Sequence, residues 1–241
     1  MTLADRLESQ LPCVLPGHQL FRCLGVDEAA WQRFSSHWDD LKPDSYAAEC
    51  GTTRLRRYGH FIFTPADRRF RLMPHDTFAQ PEDSNPLYLD RDRDFEPLTA
   101  SFIDDALLRG VLRLLGDVAT ALDDVADWSA KVTPFRVLAS AGHVGDPTPE
   151  GLHRDGVTLV TSLLIGRDNA VGGESSVDDF AGNRLLATVL SEPGTMLLGD
   201  DRNTLHCVTP IRPLDPARPA RRDVLVITFA SHQRSDRRAP R

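Results

Sequence analysis

The sequence predicts a mainly β protein with flanking helices, and three observations carry that reading. The second half of the chain holds five short, β-branched segments set apart by Gly, Pro, Asn and Asp, the spacing of an all-β sandwich or barrel. Two helical segments precede them, one of which is long and amphipathic. The length, 241 residues, suits one domain able to hide roughly 70% of its unfolded surface.

Taken in order, residues 27–41 read as a helix with Asp27 as N-cap and Pro43 beyond its end. Trp31, Phe34 and Trp38 recur there at helical spacing, as core packing requires. Residues 52–65, with Tyr58, Phe61, Ile62 and Phe63, read as a strand, and residues 81–97, rich in Asp, Arg and Pro, as an irregular loop. Residues 104–128 read as the long helix. Its apolar face comprises Leu107, Leu108, Val111, Leu114, Leu115, Val118, Leu122 and Val125, with Gly116 a candidate break, and it suits the outside of a sheet. Strands are expected at 134–139, 157–165, 185–190, 195–199 and 223–230, and a disordered polar tail at 231–241. The expected organisation is a single domain over 1–241. Residues 1–130 form an N-terminal elaboration of helices and strands, and 131–230 form the β core.

Composition narrows the function classes. The formal net charge is -7, a poor match to a polyanion, so no nucleic-acid partner is expected. No window approaches the ~18 consecutive apolar residues of a membrane span, and the charged first ten residues lack a signal-peptide core. Cys13, Cys23, Cys50 and Cys207 show no CxxC spacing and read as reduced thiols, which suits the cytoplasm. No oligomeric state is assigned.

The chemistry is carried by Pro149-Glu150-Gly151-Leu152-His153-Arg154-Asp155-Gly156. On an extended chain, His153 and Asp155 point to one side, so an imidazole and a carboxylate can converge on one metal ion. His206, fifty residues beyond Asp155 and just past the expected strand 195–199, is the candidate third ligand. Two His and one carboxylate occupy one face of an octahedron and leave open positions, as non-haem Fe(II) oxygenases require. The pair alone is common on protein surfaces; its neighbours give it weight. Gly172-Gly173-Glu174-Ser175 follows the next strand as a tight turn. The last strand opens with Arg221 and Arg222, and the planar fork of an arginine binds a carboxylate bidentately.

These residues resemble a known family. The pieces Pro149–Gly156, the Gly172–Ser175 turn, LHCVTPI at 205–211 and RRDVLVITF at 221–229 are similar to the double-stranded β-helix core of bacterial Fe(II)/2-oxoglutarate dioxygenases, in particular the free L-isoleucine 4-hydroxylase-like group. Weaker matches lie at Arg57-Tyr58-Gly59, Phe78-Ala79-Gln80, Asn85 and Phe95-Glu96-Pro97-Leu98. The resemblance implies a jelly-roll, cupin-like core. Fe(II) would be held by His153, Asp155 and His206, 2-oxoglutarate by Arg222, and O2 would be consumed with release of succinate and CO2. Arg221 and Arg212 are rivals to Arg222, because a position one off in a strand faces the other way. The presence of Asp155 implies hydroxylation, since related halogenases lack that carboxylate.

The implied substrate is a small free L-amino acid or close derivative. Arg136 is a candidate for its carboxylate and Glu150 for its amine, with Tyr58, Phe78 and Gln80 as a possible wall. The alternative is a jelly-roll protein that binds metal or a small ligand without turnover. A zinc hydrolase could also use two His and an Asp, but no general base or nucleophile follows downstream.

Overall fold

The computed structural model describes residues 3–76 and 93–232. Phe78, Gln80, Asn85, most of the expected loop at 81–97 and the tail from 233 onward lie outside the described residues.

The N-terminal part runs α1 (Leu3–Glu8), β1 (Cys13–Leu15), α2 (Gly17–Leu24) and α3 (Glu28–Ser35), with a tight 3₁₀ turn at Ser36–Asp40. It continues through β2 (Lys42–Pro43), α4 (Ser45–Glu49), β3 (Thr53–Arg56), β4 (Gly59–Thr64), β5 (Arg69–Leu72), α5 (Ala100–Ile103) and α6 (Ala106–Leu122). Asp27 caps α3 by accepting a hydrogen bond from the Ala30 amide at 2.7 Å, as the sequence predicts. The expected helix at 27–41 is therefore α3 with the 3₁₀ turn as its tail. Phe34 and Trp38 are fully buried, and Trp38 Nε1 donates to the Phe135 carbonyl at 2.9 Å.

The core strands are β6 (Trp128–Ala139), β7 (Leu159–Asp168), β8 (Ala170–Gly172), β9 (Glu174–Asp179), β10 (Arg184–Val189), β11 (Met196–Asp200), β12 (Thr204–Val208), β13 (Ile211–Pro213) and β14 (Ala220–Ser231). A large antiparallel sheet runs in the order β1-β11-β7-β14-β6-β3-β2, with β4 also on β6 and β5 on β4. A smaller sheet has the order β10-β9-β12, and β13 pairs with β8. The protein is thus mainly β, with a jelly-roll core.

Side-chain alternation separates two layers of packing. On the outer face of the large sheet Trp128, Ala130, Val132, Leu225, Ile227 and Phe229 pack under α6 and the other N-terminal helices. On the inner face Leu164, Leu197 and Val224 meet Val177 of the small sheet.

Several boundaries differ from expectation. The long helix stops at Leu122 instead of running to Trp128, because Asp123, Asp124 and Asp127 crowd negative charge where the helix dipole is already negative. Trp128 instead opens β6, which starts six residues earlier than expected. Pro134 sits inside that central strand because its carbonyl faces the gap where β3 hands over to β4, accepting from the Arg57 amide at 3.4 Å. The missing N–H points to the same side and leaves no ladder bond unmade. Helix α6 is unbroken at Gly116. Strands β9 and β12 were not foreseen as strands. The expected tail begins late, since Ser231 ends β14 and the His232 amide donates to the Asp127 carbonyl. Strands β1, β3 and β4 of the N-terminal part join the same sheet as β6, β7, β11 and β14. No helix among the described residues is long and apolar enough to cross a membrane.

Candidate metal and 2-oxoglutarate site

His153, Asp155 and His206 converge: one ligand atom from each lies within 4.8 Å of the other two. The convergence is built differently from the extended HxD segment expected. Residues 151–158 form a loop, with left-handed turns at Gly151 and Gly156. His153 meets His206 through an isolated bridge, donating its amide to the His206 carbonyl at 3.0 Å and accepting the reverse bond at 2.7 Å. That bridge ties the loop to β12 and brings the two rings to 4.4 Å between centroids. His153 Nδ1 lies 2.8 Å from the Gly151 carbonyl, which fixes the proton on Nδ1 and leaves the Nε2 lone pair for a metal. Nε2 of His153 and of His206 each stand 3.8 Å from an oxygen of Asp155.

Asp201 is the residue that sequence reasoning missed. Its side chain is fully buried and accepts hydrogen bonds from the amides of Asp155, at 3.2 Å, and Val157, at 3.0 Å. Its Oδ1 also lies 3.5 Å from His206 Nδ1. One carboxylate thus shapes the loop that carries Asp155 and faces the ring of a second converging residue. The available signal was the acidic pair Asp200-Asp201 between two strands, five residues before His206. Burial pulls the His206 proton affinity down, but the carboxylates of Asp201, Asp155 and Glu150 outweigh it and leave the pKa raised.

The site opens on a cavity of about 370 Å³ between the two sheets, within the usual size of small-molecule pockets, roughly 300–1,000 Å³. Strand parity decides who reaches it. On β14 the even positions Arg222, Val224, Val226 and Thr228 line the cavity; on β6 the odd positions Lys131, Thr133, Phe135 and Val137 do. Arg222 therefore faces inward, while Arg221 on β14 is exposed and Arg212 on β13 is exposed, and neither lines the cavity. Arg222 is 1% exposed, and its Nε and Nη2 have no hydrogen-bond partner among the described residues. Burial, with Arg167 nearby, pushes its pKa down to about 10, so the guanidinium is charged at neutral pH. A buried cation with two unused donors is a costly arrangement that a bound carboxylate satisfies.

The glycines of the Gly172–Ser175 turn hold this arginine. Gly172 and Gly173 both have left-handed backbones, and a Cβ on Gly173 would stand 3.3 Å from Arg222 Cδ. Glu150 also lines the cavity, with Oε1 3.4 Å from His153 Nε2. Arg136 does not join them. Its even position on β6 turns it to the opposite face, where Nε and Nη2 grip Asp223 at 2.8 Å each and the fork also reaches Asp39. Tyr58 is buried but does not line the cavity. Cys207 lines it and contacts Ser176 Oγ across the small sheet at 3.1 Å.

The residues present fit an Fe(II) ion with an oxoacid: two imidazole nitrogens and a carboxylate on one point, and an unpartnered buried arginine in the same cavity.

Comparison with known proteins agrees. None of the curated proteins matches the chain. Among solved structures, a bsmA homologue from Methylobium petroleophilum is 37% identical and superposes with a TM-score of 0.84 over 95% of this chain and 91% of that one. IDO from Bacillus thuringiensis, 18% identical, has a TM-score of 0.77 over 95% of this chain and 94% of its own. The Fe(II)/α-ketoglutarate-dependent dioxygenase TqaL, 17% identical, also reaches 0.77, over 98% and 87%. The last two show the fold alone. The family model described as 2OG-Fe dioxygenase matches residues 35–228, which takes in the whole cavity from β3 to β14. The chain belongs to the 2OG-Fe dioxygenase family and is a 2-oxoglutarate-dependent dioxygenase, whose cofactors are Fe(II), 2-oxoglutarate and O2.

Proposed function

We propose that this enzyme hydroxylates a small free L-amino acid or close derivative, with His153, Asp155 and His206 holding the iron and Arg222 holding 2-oxoglutarate. The observation that carries the reading is the meeting, in one cavity, of the three converging side chains with the buried, unpartnered fork of Arg222. Bound Fe(II), with 2-oxoglutarate and O2, supplies the oxidising equivalent that converts a C–H bond to C–OH as the oxoacid becomes succinate and CO2.

The chain's own residues do the rest. The Gly151 carbonyl keeps His153 in the tautomer that offers Nε2. Asp201 orients His206 and the Asp155 loop. Arg222 takes the distal carboxylate of 2-oxoglutarate in a bidentate pair, and the apolar faces of Val224, Val226, Val177 and Leu197 keep water out of the reacting space. Glu150, beside His153, is the proposed partner of a substrate amine.

Support for the substrate class is the resemblance of the four core motifs to the free L-isoleucine 4-hydroxylase-like group. The whole chain is read as one catalytic domain, and its four free cysteines suit a reducing cytoplasm. The test is the twenty L-amino acids, each with Fe(II), ascorbate and 2-oxoglutarate, read by mass spectrometry. The expected result is one or a few members gaining a single oxygen in step with succinate. No oxygen gain in any member, with succinate formed on N-acylated or peptide substrates instead, refutes the free-amino-acid reading.

A further inference from the structure

Arg136 is turned away from the cavity, yet the wall opposite Arg222 is cationic. Arg54, Arg56, Arg93 and Lys131 line the cavity together with Arg222; the carboxylates lining it, among the described residues, are Glu150 and Asp155. Their placement follows from parity. Arg54 and Arg56 are two apart on β3, so both project to one face, and their register partners on β6 are Val137 and Phe135, which line the same cavity. Arg222 on β14 pairs with Val137 from the other side. Two strand spacings separate β14 from β3, roughly 10 Å at ~4.8 Å each. The sheet thus presents arginines on both sides of β6, a separation suited to two different carboxylates.

The four cations of that wall are not equivalent. Arg54 is committed: its Nε and Nη2 both lie 2.9 Å from Asp44 Oδ2. Asp44, whose side chain is fully buried, uses its other oxygen to cap α4 through the Ala47 amide at 3.1 Å. Arg56 comes only to 4.0 Å of that carboxylate. It is 3% exposed, and its guanidinium carbon lies 3.5 Å from the centroid of Phe95 and 4.7 Å from that of Phe135. Stacking on ring faces orders the plate and directs its N–H groups along its edges, the geometry of bidentate carboxylate recognition. Lys131 lies on the cavity face of β6, four residues from Phe135.

We propose that Arg56, flanked by Lys131, is the anchor for a carboxylate on the substrate, so that the enzyme accepts free carboxylic acids and rejects their amides and esters. The proposal rests on the hydroxylase reading for the use of the cavity, and adds which end of the substrate is held and by what. Burial lowers the proton affinity of Arg56 strongly, with Arg54 adding to it and Asp44 opposing; a carboxylate arriving at the fork offsets that cost.

The experiment measures binding as well as turnover. Full-length protein loaded with Mn(II) and 2-oxoglutarate is titrated calorimetrically with the twenty L-amino acids, a set of simple mono- and dicarboxylic acids, and the carboxamide of each. At least one acid is expected to bind about tenfold or more tightly than its amide. Arg56→Gln is expected to erase that preference while 2-oxoglutarate affinity stays at the wild-type value, and Arg56→Lys to keep part of it. Acid and amide binding equally, preference surviving in Arg56→Gln, or no acid binding at all overturns the anchor. If Arg56→Gln misfolds, seen as loss of 2-oxoglutarate binding, Arg56→Lys and the wild-type acid–amide comparison still decide. An anchor that holds only acids other than amino acids sinks the amino-acid reading and leaves this one standing. Amino-acid hydroxylation with equal use of amides does the reverse.

Discussion

At the scale of single residues, the site is governed by which atoms are left without protein partners and which are tied down. His153 spends one nitrogen on Gly151, and Asp201 spends its carboxylate on two loop amides while facing His206. Groups of this kind set the orientation of metal ligands, and their loss typically costs about 10–100-fold in metal affinity or activity. Asp201→Ala is therefore expected to weaken Mn(II) or Co(II) binding by about that factor. At saturating metal, its 2-oxoglutarate affinity should be close to wild type. Unchanged metal affinity in a competition titration would show that Asp201 only packs the loop. Arg222→Ala should raise the dissociation constant for 2-oxoglutarate by the equivalent of roughly 2–5 kcal/mol, the usual loss when one side of a buried charged pair is truncated. Arg222→Lys should recover only part of it, because an ammonium lacks the planar fork. Normal 2-oxoglutarate binding by Arg222→Ala would move the anchor elsewhere. Among the thiols, Cys13 is pushed up to about 11 by burial, whereas Cys23 and Cys50 are exposed. A thiol reagent near pH 8 should modify Cys23 and Cys50 well before Cys13, since only the thiolate reacts. Mass spectrometry of the time course checks the order.

At the scale of elements, α6 and β6 show how local preference yields to contact. Both Gly110 and Gly116 look like weak points in a helix, each costing ~1 kcal/mol relative to Ala. Their surroundings differ. A Cβ on Gly110 would meet Leu24 at 3.5 Å, an ordinary contact, whereas on Gly116 it would stand 2.5 Å from the Phe63 ring of β4. Gly110→Ala should therefore stabilise the protein by up to about 1 kcal/mol. Gly116→Ala should destabilise it, because overpacking typically costs about 1–3 kcal/mol. Urea melts of the two variants check the opposite signs. Gly116 was legible as a breaker, but its packing role against Phe63 was not, because β4 is some fifty residues away in sequence. Similarly, apolar alternation revealed β14 and β11, while β9, reading Glu-Ser-Ser-Val-Asp-Asp, carries too few apolar residues to look like a strand. It is a strand because β10 and β12 pair with it on either side.

At the scale of the whole molecule, the cavity joins the two sheets, and ligands that fill it should hold them together. Metal and 2-oxoglutarate bind the folded chain, so each should raise the melting temperature by mass action. At a hundred times its dissociation constant a ligand adds about 2.7 kcal/mol, or roughly 5–10 °C for a domain of this size. Mn(II) alone should give one increment and 2-oxoglutarate a second. Arg222→Ala should keep the first and lose the second, and His206→Ala should lose both. A wild-type melting temperature indifferent to Mn(II) would be incompatible with a metal centre at His153, Asp155 and His206. The sequence by itself determined the chemical kinds involved: two imidazoles, a carboxylate, a terminal-strand arginine and alternating strands around them. These are properties of residue type and short-range spacing, which period-two and period-3.6 patterns expose. Only the tertiary structure decided that Arg136 pairs with Asp223 outside the cavity, that Arg54 and Arg56 of a strand eighty residues upstream of β6's inner face supply its cationic wall, and that Asp201 braces the metal loop. Those outcomes depend on which strands become neighbours and on which face each side chain emerges. Both are set by cross-strand register and by packing between segments that the chain order keeps far apart.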